Sequence, residues 1–514
     1  VRSLLITTAI ILTLLTWRTN SASPRAWPVA EVPIAWWAWR ATAPTEAELQ
    51  SVTQTTRTQA LFLRAGQMDY EKGQLRRIRP VAGRMPRNPE LHLVYNATRA
   101  LLAEFERVET AALARTMAET FARDSERAAC DGVRVAGLQL DFDAPTRLLP
   151  KYAGLLDATR KLLPTGTQLS ITGLPTWAES SAIRDLLDKT DFWIPQLYGA
   201  TLPQKPDQLI PIAAPAQVAR VIERVQRLDH PFYAGLAAYG YAILYSRDGA
   251  LLELRGDIDP ALVASHPDFE LVASRPFEPP EENSSSSLPL IASEWQYVYR
   301  AHRDCVIDGL VVKEGEKLML DAPTAESLRA CARAVREKAG DSLLGICVFR
   351  LPTVADPTSL TAGEIAAALA DTATQPAGTI TVSQKDHLNL SVTNSGTASA
   401  VSGSEAMVIT LRVPAGSVSG VVRVEGFSGF ETLCERPGTS NNTHPALLHP
   451  CSARRANVIR LSANYWRPGL THHVKLSCEK QMPGLLPAEI LIHTDDGRVW
   501  KDQQSVTISR TRKP

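Results

Sequence analysis

From Pro33 to about Ala370 the apolar positions fall into short strand-length runs separated by longer amphipathic stretches. That alternation argues a parallel sheet, because antiparallel strands would be joined by short turns. The runs predict strands at Ile34–Trp39, Ala60–Arg64, Leu91–Tyr95, Val135–Phe142, Gln168–Thr172, Phe192–Tyr198, Phe232–Ala237 and Leu344–Phe349. Helices are expected at Thr98–Arg127, Leu148–Leu163, Ser181–Lys189, Pro215–Leu228 and Pro323–Lys338. Eight strands with intervening helices fit a (β/α)8 TIM barrel over residues 31–371. A doubly wound open sheet is the alternative, but no GxGxxG turn follows the first strand.

Residues 241–321 are too long for one connection and carry strand signals at Ala250–Leu254 and Val306–Val312, which predicts a small α+β insertion before the last barrel strand. Within it, Pro279–Ser287 reads as a polar surface loop with nothing to bury. From Thr372 the pattern changes to period-two alternation: Thr379–Ser383, Leu388–Thr393, Met407–Val413, Val421–Val424 and Ile490–His493, with Asn394-Ser-Gly396 and Asp495-Asp-Gly497 as turns. Residues 377–514 are therefore expected to form an all-β sandwich of immunoglobulin-like type, joined to the barrel near Thr372–Ala377.

The first residues alter the cellular picture. Val1-Arg2 precedes an apolar run ending near Trp17, the size of a signal-peptide core and short for a bilayer span. A signal peptide over residues 1–23 and an exported, periplasmic or secreted protein are expected, with membrane contact only through that segment if it is uncleaved. Export permits disulfides. Of the 7 cysteines, Cys130, Cys305, Cys331 and Cys347 lie in apolar elements, whereas Cys434 and Cys451 can close a polar loop and Cys478 lies nearby. No CxxC or HxxxH pair suggests a metal site, and no cofactor motif is present. A net charge of +1 without a basic stripe argues against nucleic acid as a partner.

The chemistry concentrates where barrel strands end, which is where such folds place their active sites. Val133–Pro145 carries Asp141 and Asp143 one residue apart, so in a strand both point the same way, roughly 6 to 7 Å apart at about 3.3 Å per residue. Around them the strand ends supply Trp37, Trp39, Arg64, Asn96, Trp177, Gln196, Tyr198, Tyr239 and Arg350. Aromatic faces beside carboxylates suit a sugar, which stacks its C–H faces and hydrogen-bonds its hydroxyls. Core packing is the competing reading for each tryptophan. Asp69 is the best external partner for Asp143, Asp191 reads as a strand-entry residue, and Glu314 and Glu316 as a solvated hairpin. His230, His266 and His302 are isolated and default to surface or core roles.

Gly137-Leu-Gln-Leu-Asp-Phe-Asp143, Tyr152 and Leu169-Ser-Ile-Thr-Gly-Leu-Pro-Thr-Trp177 resemble the bacterial family known as domain of unknown function 3142, which implies a barrel related to glycoside hydrolases. More distantly, the chain is similar to glycoside hydrolase family 18, whose fourth strand reads Asp-Gly-x-Asp-x-Asp-x-Glu. Gly137 matches its Gly, and Gln139, Asp141 and Asp143 fall at its last three acidic positions. Gln196-Leu-Tyr-Gly199 partly echoes its Met-x-Tyr-Asp stretch, and Gly235–Gly240 looks like its seventh strand. The chain departs from it at Ala136, Gln139, Asp143 and Gly199. The resemblance implies Asp143 as general acid, with Asp141 orienting substrate and Tyr198 donating a hydrogen bond. Three classes are compatible with this: an exported glycoside hydrolase acting on a glycan or oligosaccharide, a noncatalytic carbohydrate-binding barrel, and a structural envelope protein. Turnover of a glycoside separates the first from the second, and glycan binding the second from the third.

Overall fold

The computed structural model describes residues 27–199, 201–276, 293–353, 356–401, 404–435 and 448–510. The expected signal peptide, the Pro279–Ser287 stretch and the loop after Cys434 lie outside the described residues. Eight parallel strands close a barrel: β1 (Ile34–Ala38), β2 (Thr58–Glu71), β3 (Glu90–Ala97), β4 (Val135–Asp141), β5 (Gln168–Gly173), β6 (Phe192–Pro195), β7 (Phe232–Ala237) and β8 (Leu343–Phe349). Neighbours pair in chain order, and β1 bonds both β2 and β8, which removes both edges.

Two expected elements differ. β2 runs on past Arg64 to Glu71, turns through Lys72 and Gly73, and returns as a short strand at Gln74–Ile78, so a hairpin stands where the second helix would be. Lys72 and Gly73 both have positive φ, 52° and 80°, the backbone a tight two-residue hairpin needs. The helix expected over Thr98–Arg127 is two helices, Arg99–Glu104 and Thr110–Cys130. Phe105 and Val108 are buried in the break, and the Glu109 carboxylate caps the second helix through the Ala112 amide.

Strand alternation fills the barrel in layers. At the bottom Phe62, His92, Phe192 and Tyr233 make ring contacts across the interior. Gly137 belongs to this level: a Cβ there would lie 2.6 Å from His92 Nδ1 and 2.7 Å from the Gln168 carbonyl oxygen. Above it the indole N–H of Trp37 donates to Gln139 Oε1 at 2.9 Å, and Gln139 Nε2 donates to Ser170 Oγ at 3.2 Å. The polar mouth forms the next level.

Between β7 and β8 the chain inserts a five-stranded antiparallel sheet, ordered Leu251–Arg255, Tyr241–Tyr245, Lys317–Ala322, Trp295–Ala301 and Phe269–Pro276. Val306–Val312 is a hairpin, Cys305–Ile307 against Leu310–Val312, and not one strand, because Asp308 and Gly309 both take positive φ. The C-terminal region is all-β, and its two sheets share the long strand Val499–Arg510. They enclose a core that includes Leu390, Val392, Ile409, Leu461 and Ile490. Cys434 and Cys451 are bridged.

This domain is fastened to the rest. Val401 and Tyr465 join the insertion's hydrophobic cluster, and the Tyr297 hydroxyl donates to the Val401 carbonyl. Arg467 donates to the Asp356 carbonyl at 3.0 Å, and Asp495 Oδ2 accepts the Ala325 amide at 2.9 Å. The joint expected to be open is partly covered: Thr374 is buried, and its carbonyl accepts Arg498 at 2.8 Å.

Candidate active site

β4 delivers the two carboxylates by alternation. Leu138, Leu140 and Phe142 are buried on the helix side, which leaves Gln139 and Asp141 to the interior. Phe142 is gripped by aromatic neighbours: Tyr152 stacks on it at 5.6 Å, Phe105 meets it edge-on, and Trp177 meets Tyr152 edge-on. The Tyr152 hydroxyl donates to the Leu140 carbonyl at 3.2 Å, and the Trp177 indole donates to the Ala144 carbonyl at 3.2 Å. The clamp thus holds the chain on both sides of Asp143. The strand itself ends at Asp141, and the Ala144 amide closes a tight turn onto the Phe142 carbonyl at 2.7 Å. Asp143 sits at the apex of that turn, not on a continuing strand, and is exposed where Asp141 is half-buried.

The Thr172 hydroxyl donates to Asp141 Oδ1 at 2.5 Å. Burial, and then the Asp143 charge, push the Asp141 carboxyl up to about 7, against the opposing pull of Thr172 and Arg64. Asp143 is also raised, by the burial of its carboxyl, although the residue as a whole is exposed. The rise at Asp143 is in the direction expected of it, and Asp141 is raised as well. Both carboxyls are thus held above the ordinary carboxylate range, the inner one by burial and by the charge of the outer one.

Two walls flank the pair. On one side Arg64 donates from Nε to Asn96 Oδ1 at 3.3 Å and lies over the Trp39 ring, 5.7 Å from its centroid. On the other, Tyr198 stacks on Phe349 at 5.8 Å, Tyr239 packs edge-on against both, and Arg350 lies over Tyr239. Burial, Tyr239 and both acids hold the Tyr198 phenol well above its usual range, so it stays a hydrogen-bond donor. Burial likewise raises Tyr239. Arg350 is engaged by Asp356, Thr358 and the Gly256 carbonyl, so it clamps the loop after β8 as well as contacting Tyr239. Gln196 follows β6 half-buried, and its amide bonds the Gly173 carbonyl.

Other expected residues sit elsewhere. Trp37 is 1% and Trp177 0% exposed, so neither offers a face to a ligand, and both act as packed supports. Asp69 is spent on the Thr98 hydroxyl and on Arg76, which removes it as the partner of Asp143. Asp191 accepts the Leu169 amide and Arg160 at the entry to β5 and β6. Gln139 was singled out in the sequence with the two acids, whereas Ser170 and Thr172 were not expected at the site. Their signal was present, because Ser170 and Thr172 are alternate polar positions in an otherwise apolar strand and so share one face.

Residues 103–265 match the family described as "Domain of unknown function (DUF3142)". No curated protein sequence matches the chain. Among solved structures it is similar to the Bacillus cereus spore cortex-lytic enzyme SleL, at 12% identity and TM-score 0.41, covering 66% of this chain and 74% of that one. A chitinase from Chromobacterium violaceum matches at 13% identity and TM-score 0.39, covering 66% and 98%. A class V chitinase from Pseudomonas fluorescens matches at 13% and 0.39, covering 65% and 98%.

Proposed function

We propose that this chain, matched across residues 103–265 to a domain of unknown function, is an exported enzyme that hydrolyses a glycosidic bond at its barrel mouth. One observation carries the reading: β4 ends in Asp141, whose carboxyl is raised to about 7, and the turn after it presents Asp143 to solvent. Such a pair holds one proton near neutral pH, and proton donation to a leaving glycosidic oxygen needs that proton beside an accessible carboxyl. Asp143 is the group that touches the substrate oxygen, and Asp141 shares its proton with it. When the bond breaks, the proton passes to the leaving oxygen and the charge left behind is spread over the pair. The pair then takes a proton from the attacking water. Trp39 and Tyr239, both half-buried, supply the aromatic surface for sugar C–H faces. The Cys434–Cys451 bridge supports the exported setting, since such bonds persist in oxidising compartments.

The test is a glycan-array screen of the full chain, followed by a reducing-end assay on every glycan bound. Binding with turnover is the expected result. Binding without turnover makes the barrel a carbohydrate-binding protein, and the absence of any bound glycan removes the glycan reading altogether.

A further inference from the structure

Two arginines are buried among the described residues, Arg64 at 7% and Arg336 at 4% exposure. Arg336 pairs with Asp371 at 3.1 Å. Among the described residues no carboxylate lies within ion-pair distance of Arg64. Its one hydrogen bond among the described residues is the Nε donation to the neutral Asn96, so both terminal nitrogens of the fork are without a protein acceptor. The nearest charges are of mixed sign: Asp141 is close enough to favour the guanidinium, and Arg79, itself exposed, is close enough to oppose it. Asp141 is the acid that burial keeps protonated toward neutral pH, so the counter-charge it offers is partial.

An arginine in this position is costly. A buried cation is ordinarily compensated by an ion pair and by a full set of hydrogen bonds. Here a neutral amide and the face of Trp39 hold the guanidinium in place, and its free fork lies at the mouth beside the carboxylate pair. A planar fork with two free nitrogens is the complement of a carboxylate, which it binds through two parallel hydrogen bonds. Arg79 adds positive potential on the same side, which would draw an anion and repel a cationic sugar.

We propose that Arg64 is a specificity-determining residue for an acidic glycan, binding the carboxylate of the sugar unit that lies against the Asp141–Asp143 pair. The inference rests on the glycan reading and narrows it: the substrate carries a carboxylate, either on the ring as in a uronic acid or on an ether arm as in N-acetylmuramic acid. Placing that anion also acts on the acids, since a carboxylate held near Asp141 keeps the shared proton in the pair.

The experiment is calorimetric titration of the full chain with matched ligand pairs: oligogalacturonate, oligomannuronate and a disaccharide containing N-acetylmuramic acid, each beside its carboxyl-reduced form. The acidic member of at least one pair is expected to bind about tenfold or more tightly than its reduced form. Arg64→Gln should abolish that preference, and Arg64→Lys should keep part of it, because charge survives without the fork. The pair that shows the preference assigns the carboxylate to the ring or to the ether arm. A melting curve guards against a purely structural role: removing an uncompensated buried cation should leave the Tm unchanged or raised. Equal binding of acidic and reduced ligands by the unaltered chain overturns the inference and leaves the glycan reading standing. A preference that persists in Arg64→Gln, or a Tm that drops sharply in it, also overturns it. If no ligand of either kind binds, and the array is blank as well, the glycan reading falls with it.

Discussion

At Asp143 the accessible carboxyl and the shared proton meet, so its replacement by Asn removes the donor and keeps the shape. Asp143→Asn is expected to lower turnover by at least about a hundredfold with glycan affinity preserved, measured by a reducing-end assay beside calorimetry. Unchanged turnover would make the pair structural. The pH dependence has a definite sign. A reaction that needs the proton shared with Asp141 loses activity as pH rises through about 7, where that proton leaves. The Thr172 hydroxyl bonds the ionised form and so holds this value down. Thr172→Val should therefore move the alkaline limb of the rate profile to higher pH, and a limb that stays or moves down would show that Asp141 does not set it.

At the level of elements, β4 and β5 are held in register by a contact too close for any side chain. Gly137→Ala would drive a methyl group into His92 and the Gln168 carbonyl, and a backbone oxygen in a barrel strand has nowhere to move. We expect a loss of about 2 kcal/mol or more in urea unfolding, with the far-ultraviolet spectrum of any folded fraction unchanged. A neutral substitution would mean the interior is looser than its layers indicate. The alternation that buries Leu138, Leu140 and Phe142 was legible in the sequence, and so was the strand sequence of the barrel, because apolar runs of strand length have few other uses. Less legible was anything set by contacts distant in sequence. The break at Phe105–Glu109 contains neither Gly nor Pro, and it exists because Phe105 packs against Phe142 and Tyr152. The extension of β2 carried a weak local signal in Lys72-Gly73, while its polar residues hid the strand. In the site, the acids were visible as a doublet, but the roles of the tryptophans were not. Trp37 and Trp39 look alike in sequence, and only the partner across the barrel separates a packed support from a mouth residue.

Over the whole molecule, the turn Asp495-Asp-Gly497 reaches out of the β domain to the barrel, where Asp495 satisfies the free first amide of the helix Ala325–Lys338. It is buried there facing Glu364 and Asp496, with Arg329 opposing them, and burial foremost pushes its carboxyl up to about 7. Burial also raises Glu364, although the Ser399 hydroxyl from the β domain donates to it. The consequence for stability follows from proton counting. An unfolded Asp ionises near about 3.9, so between there and about 7 the folded state binds more protons, and stability must fall as pH rises through that window. This contribution is full below about pH 3.9 and is gone above about pH 7. Asp495→Asn keeps the oxygen that accepts the Ala325 amide and removes the charge, which should flatten this part of the pH dependence. In calorimetry at about pH 4 and about pH 8, the variant is expected to match the unaltered chain at the lower pH and to melt higher at the upper one, a gain on the order of 4 kcal/mol. Because Val401 and Tyr465 share a core with the insertion, both proteins should show one transition in acid, and proteolysis between Thr372 and Ala377 should accelerate with pH in the unaltered chain alone. Equal pH dependence in the two proteins would place the charge of Asp495 outside the docking equilibrium.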